Sequence, residues 1–210
     1  MRRAPKKATK GVRSAGRAAR APRDRSAKLV EPVRFMTKLL RPADTAAAWT
    51  FLMLPRQASK KLPSRGMVSV TGTLNGAAFA ATLEPDGNGG HWLKVERTLR
   101  EAAGAEPGDE VCLEIAPVPS CQEPEPVVPT DFKRALAAAP AKAREVWAAV
   151  TPIARRDWVQ WVTSAKRDET RAKRIASACD MLANGKRRPC CFDRSGMYGK
   201  SLSCPAAENG

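Results

Sequence analysis

A single histidine, His91, serves all 210 residues, and none of the six cysteines forms a CxxC pair. A tetrahedral zinc site needs four ligands at short, regular spacings. Cys112, Cys121, Cys179, Cys190, Cys191 and Cys204 do not offer them. Neither a metal nor another cofactor is therefore expected. Long apolar runs are missing too. The longest, such as Ala46-Ala47-Ala48-Trp49, fall far short of a bilayer span, so no transmembrane segment is expected. The N-terminus lacks the apolar core of a secretory signal, which points to a cytoplasmic protein with free thiols rather than a disulfide framework. His91 has no evident Ser or acid partner for nucleophilic catalysis. Asn88-Gly89-Gly90 lacks the spacing of a phosphate loop. With no coherent acid, base or nucleophile, an enzyme is not expected.

What the chain does have is positive charge, at +16 net, and its distribution is uneven. Residues 1–28 carry 11 Lys/Arg against 1 acid. Residues 29–129 carry 10 against 12, residues 130–188 carry 14 against 6, and the remainder balances. A polyanion would be met by the head and by the third segment, not by the mildly acidic middle.

The first 28 residues hold almost no large apolar side chain and cannot offset their ordering entropy, so a disordered basic tail is expected there. Three readings of it stand side by side: a solubilising tail, a salt-sensitive binder of nucleic acid, and an organelle transit peptide. Residues 29–116 show period-two patterning broken by turns. Strands are expected at Phe35–Leu39, Trp49–Leu54, Val68–Leu74, Ala78–Leu83, His91–Val95 and Val111–Ile115, with one short helix over Glu96–Ala103. Asn75-Gly76 marks a tight hairpin, because a type I′ turn needs positive φ at both central residues. Six strands and one helix predict a small antiparallel β-barrel.

Residues 117–129 (PVPSCQEPEPVVP) hold five prolines and read as an extended linker. Residues 130–187 read as all-helical. A helix begins at Thr130 or Asp131 and places Phe132, Leu136 and Ala139 on one face. Pro140 separates it from a second helix over Ala141–Val150. Thr151-Pro152 combines an N-cap with proline at the first helical position. Trp158, Trp161 and Val162 continue an apolar stripe. A last helix starts near Asp168 or Thr170 and stops at Asn184-Gly185. Residues 188–210 read as a disordered polar tail. The fold class is thus α+β, a barrel followed by a helical module.

Within the helical block, Pro129-x-Asp131-Phe132, Arg155-Arg156-x-Trp158-Val159-x-Trp161-Val162, Glu169-Thr170-Arg171-x-Lys173-Arg174-Ile175 and Met181-Leu182-Ala183-x-Gly185-Lys186 are similar to the bacterial YdeI/OmpD-associated, or bacteriocin-protection, family. Trp158, where a tyrosine is common, departs mildly from that pattern. The preceding segment resembles an uncharacterised barrel domain often found before such a block. Trp49-x-Phe51-x-x-Leu54-Pro55, Val68-x-Val70-x-Gly72-Thr73-Leu74-Asn75-Gly76 and Gly108-Asp109-x-Val111 carry that likeness, which implies a double-split barrel of the AbrB/MazE kind. The resemblance brings no catalytic residues. It implies protection against stress or antimicrobial peptides through an anionic or protein partner. A nucleic-acid binder using the tail and the barrel is the alternative.

Two sets of side chains are candidate sites. Arg167, Arg171 and Arg174 fall within roughly 60° of one another on a helix, on the side of Ala178, Met181 and Leu182. With Lys166 and Lys173 they could form an anion-binding patch. The structural alternative pairs them with Asp157, Asp168 or Glu169. Trp158 and Trp161 fit core packing, with base stacking as the minor reading. Trp49 and Trp92 could line a pocket in the barrel.

Overall fold

A computed structural model describes residues 31–43, 49–190, 192–198 and 202–208. The expected basic tail over residues 1–28, and Cys191, lie outside them. Six antiparallel strands close into a barrel: β1 (Val33–Leu40), β2 (Thr50–Met53), β3 (Val68–Leu74), β4 (Ala77–Pro85), β5 (His91–Val95) and β6 (Glu110–Pro117), arranged β1-β2-β5-β4-β3-β6. The alternation read from the sequence sets the faces. Leu52, Val70, Leu74, Leu83, Leu93, Val95, Val111, Leu113 and Ile115 fill the interior. The hairpin turn at Asn75-Gly76 has φ of 47° and 90°. Asn75 also ties the turn to β6, because its side-chain oxygen accepts from the Cys112 amide at 2.9 Å.

Two short helices accompany the barrel. α2 (Arg97–Ala102) matches expectation, while α1 (Arg56–Lys60) does not. Five residues behind Pro55 are too few to show a 3.6-residue period, so the sequence pattern is silent there.

Four helices follow: α3 (Thr130–Ala138), α4 (Ala141–Ala149), α5 (Pro152–Thr163) and α6 (Asp168–Ala183). Their common core holds Phe132, Leu136, Ala143, Trp158, Val162, Ala178 and Leu182. The Thr151 hydroxyl caps α5 by accepting from the Ala154 amide at 3.3 Å. Gly185, at φ 78°, ends α6 in the left-handed conformation.

The described residues of the polar C-terminal tail, where composition suggests disorder, pack on the barrel. Ala207 bridges to Pro42, the Ala43 amide donates to the Ala206 carbonyl at 2.8 Å, and the Glu208 amide donates to the Arg41 carbonyl at 2.9 Å. Leu202 is buried. Cys204 Sγ lies 3.0 Å from Met53 Sδ, and Met53 is the cross-strand partner of Trp92. The described tail residues therefore lie beside Met53 of β2, the chain just after β1 and the turn after β4. A few apolar contacts spaced along a polar stretch anchor it, and they leave no periodic signal.

Gly72 in β3 lies where a Cβ would sit 2.0 Å from the Glu114 carbonyl oxygen of β6. Gly72→Ala should therefore push β3 away from β6 and lower stability by about 1–3 kcal/mol. Chemical denaturation would show it as a reduced midpoint, and an unchanged midpoint would contradict the close approach.

Candidate functional site

Successive residues on a helix point about 100° apart. Arg155, Arg156 and Asp157, on one turn of α5, accordingly face three neighbours. Arg155 donates from Nε to the Trp147 carbonyl at 3.1 Å, from Nη2 to the Ala148 carbonyl at 2.8 Å, and from Nη1 to Glu125 at 2.7 Å. It thus ties the C-terminal end of α4 to the linker. Arg156 reaches the barrel. It donates to the Ser69 hydroxyl at 2.7 Å and to the Met67 carbonyl at 2.9 Å, and it pairs with Glu123 of the linker. The Ser69 hydroxyl in turn donates to Glu123 at 2.7 Å. Both charges are withdrawn from water, with side-chain exposures of 13% for Arg156 and 4% for Glu123. Asp157 receives Arg188, and Arg194 Nε lies 3.3 Å away. Burial pushes the Asp157 carboxyl upward, while Arg194, Arg188 and Arg156 pull it down. The linker is consequently a pinned wedge, not a free tether.

The five basic residues expected to bind an anion do not converge. α6 begins only at Asp168, and Arg167 is its extended N-cap at φ −116°, so Lys166 and Arg167 are off the helical face. Lys173 is exposed. Arg171 forms a two-pronged pair with Asp131 of α3, Nε to Oδ2 at 2.6 Å and Nη2 to Oδ1 at 3.0 Å. This pair holds the Asp131 carboxyl down at about 2. Arg174 donates to the Trp161 carbonyl at 2.6 Å and the Ser164 hydroxyl at 2.9 Å, with its guanidinium 5.7 Å from the Trp161 ring. Arg171 and Arg174 are therefore both engaged within the fold. Asp131, not the anticipated Asp157, Asp168 or Glu169, is the partner of Arg171. The sequence signal was masked because Asp131 lies 40 positions away.

The structure brings Trp49 and Trp92 together. With Phe51 they form an aromatic cluster, its ring centroids 6.2–6.3 Å apart. Trp92 alternates with the interior residues Leu93 and Val95, so it faces outward. Trp158 is fully buried and meets Trp161 edge-on at 6.0 Å, in accord with core packing. His91, also fully buried, has its Nε2 3.0 Å from the Gly66 carbonyl, and burial lowers its pKa.

The feature that pattern reading missed is a groove of about 520 Å³ between the end of the linker, α3 and α4. Val127, Val128, Leu136 and Trp147 give it apolar walls, and Lys133 and Arg144 add two cations. Val127 is 90% exposed. The Trp147 ring is held edge-on by Phe132 at 5.4 Å and lies 5.9 Å from the Arg155 guanidinium. Val127 and Val128, the last two residues before Pro129, are the one signal the linker offered. Paired valines in a proline-rich tether have no core of their own to fill.

Residues 125–185 match the family described as bacteriocin-protection, YdeI or OmpD-associated. Residues 35–115 match a domain of unknown function, DUF1905. The first span contains the groove and the α5 clamp, and the second contains most of the barrel. No curated protein matches the chain.

Two expectations follow. Arg156→Ala leaves Glu123 buried without its cation and should cost about 3–5 kcal/mol. The Arg156→Ala/Glu123→Ala double variant should lose clearly less than the sum of the two single losses, and strict additivity would show that the pair is not coupled. The Asp131–Arg171 pair should show itself in acid. A carboxyl held low contributes stability that is present above its unfolded value, roughly pH 4, and lost as pH falls through the folded value. Wild type should therefore exceed Asp131→Asn in stability at neutral pH, and the gap should close as pH approaches about 2. A gap independent of pH would remove the ion pair as its cause.

Proposed function

We propose that this chain, a YdeI/OmpD-associated helical module behind a DUF1905 barrel, is a non-enzymatic cytoplasmic protein. It serves protection against bacteriocins or antimicrobial peptides by holding an acidic, apolar segment of a protein partner. The observation that supports this reading is the groove around Val127. A lone exposed valine is ordinary, but here Val127, 90% exposed, adjoins Val128, Leu136 and Trp147 in one concave, mainly apolar surface, and contiguous apolar surface of that kind marks a binding groove. Lys133 and Arg144 favour a partner segment bearing carboxylates and disfavour a cationic peptide. A helix or extended strand could set one or two apolar side chains against Val128, Leu136 and Trp147 while its acids meet the two cations.

A second reading has its own observation. The 11 Lys/Arg against 1 acid in residues 1–28 favour non-specific contact with nucleic acid, independent of the groove. A salt-dependent affinity for duplex DNA that vanishes when residues 1–28 are removed would assign that activity to the tail alone.

The groove is tested by selecting a phage-displayed peptide library on the full chain. Enriched sequences should combine Asp or Glu with Leu, Ile or Phe. A synthetic peptide of that kind should bind Val127→Asp and Lys133→Glu at least about tenfold more weakly, the equivalent of one lost contact of about 1.4 kcal/mol. Both positions are exposed, so folding should be unaffected. Enrichment of basic sequences, or peptides indifferent to both variants, would refute the groove as the partner site.

A further inference from the structure

The molecule also has cations that it does not use internally. On α1, Arg56, Ser59 and Lys60 stand at i, i+3 and i+4 and so share one side. The loop after α1 brings Ser64 and Arg65 alongside, the turn between β4 and β5 adds a backbone wall, and Met197 of the C-terminal segment closes it. Together they enclose a cleft of about 380 Å³. It belongs to the barrel and is separate from the groove around Val127.

No carboxylate lines this cleft. Among the described residues, Arg56 and Lys60 form no ion pair, and the side-chain contact of Arg65 is with Met197 Sδ at 4.0 Å. Asp86, in the adjoining turn, is engaged elsewhere, since its Oδ1 accepts from the amides of Asn88 at 2.7 Å and Gly90 at 2.8 Å. Ser59, in the cleft wall, is buried, and its hydroxyl has no partner among the described residues. Three like charges around one cavity repel each other until an anion enters. Four arginines of the helical module behave otherwise, since Arg155, Arg156, Arg171 and Arg174 are all bonded to the protein itself.

We propose that this cleft binds the phosphate group of a small phosphorylated ligand. Two guanidinium forks and one ammonium match a doubly charged phosphate with several acceptor oxygens better than they match a single carboxylate. Ser64 adds a hydroxyl donor. The volume exceeds that of a bare phosphate and falls near the lower end of small-molecule sites, roughly 300–1,000 Å³. The phosphate could belong to a soluble ester or to an anionic lipid headgroup, and the same side chains would recognise either.

Calorimetric titration of the full chain with inorganic pyrophosphate, and co-sedimentation with phosphatidylglycerol vesicles, distinguish the two sources. Wild type should bind at least one of them saturably. Arg56→Ala and Lys60→Ala should each weaken that binding about tenfold, as expected for losing one charge-assisted contact. Arg171→Ala should leave it unchanged. All variants retain residues 1–28, so the difference among them isolates the cleft from the basic tail. Pyrophosphate binding lost in the variants supports the proposal with a soluble ligand. Vesicle binding lost in the variants and displaced by pyrophosphate supports it with a lipid. Absence of saturable binding to either probe, or binding unaltered in an Arg56→Ala/Lys60→Ala double variant of unchanged melting temperature, overturns it. Capture of duplex DNA alone, undisplaced by pyrophosphate, also overturns it and makes this face a nucleic-acid surface instead.

Discussion

The guanidinium of Arg156 crosses from a helix to a barrel, and the two modules share one body because of it. A guanidinium and a carboxylate taken out of water together incur a desolvation cost of several kcal/mol per ion, which their attraction offsets only if every remaining polar atom nearby is also satisfied. Here most are. Glu123 takes both Arg156 and the Ser69 hydroxyl, and the second arm of Arg156 finds the Met67 carbonyl. Ser69 belongs to β3, Glu123 to the linker and Arg156 to α5. One buried cluster therefore fixes three segments at once. An apolar seam of the same area would allow sliding, whereas this geometry has one register.

The residues on either side extend the same logic. Arg155 holds α4 and Glu125, and Asp157 gathers Arg188 and Arg194 from beyond α6. A basic helical module was thus an incomplete description. Much of its positive charge is matched within the fold, and net charge alone says little about where a ligand binds. What matters is which cations lack partners, and among the described residues those of α1 stand out. They lie in the part of the chain whose net charge is slightly negative, where a charge count gives least reason to look.

The barrel was legible because period-two patterning and the Asn75-Gly76 turn are local signals, and both held in register. The helical boundaries were legible for the same reason, from Thr151-Pro152 to Gly185. The pairings were not. Arg171 with Asp131, Arg156 with Glu123 and Asp157 with Arg194 join residues about 30 to 40 positions apart, and no periodicity links them. The grouping of Arg167 with Arg171 and Arg174 placed all three on one helix, but α6 begins at Asp168 and Arg167 is its extended N-cap. Parity places Trp92 on the outer side of the barrel wall, because it alternates with the interior residues Leu93 and Val95.

The clamp and the groove are mechanically linked. The linker leaves the barrel, is fixed at Glu123 by Arg156 and at Glu125 by Arg155, and immediately becomes the groove wall at Pro126, Val127 and Val128. Arg155 also lies near the Trp147 ring and bonds its carbonyl, so one side chain sets both the near end of that wall and the opposite aromatic. Two anchors upstream and Pro129 downstream fix this short stretch so that Val128 packs half-buried against the helical core while Val127 stands exposed beside it. A helical module cut away from the barrel would keep the Arg155 anchor but lose the Ser69 and Met67 contacts that orient Arg156. Its groove wall would then be held at one point instead of two. The barrel thereby fixes the shape of the proposed partner surface without forming any of it.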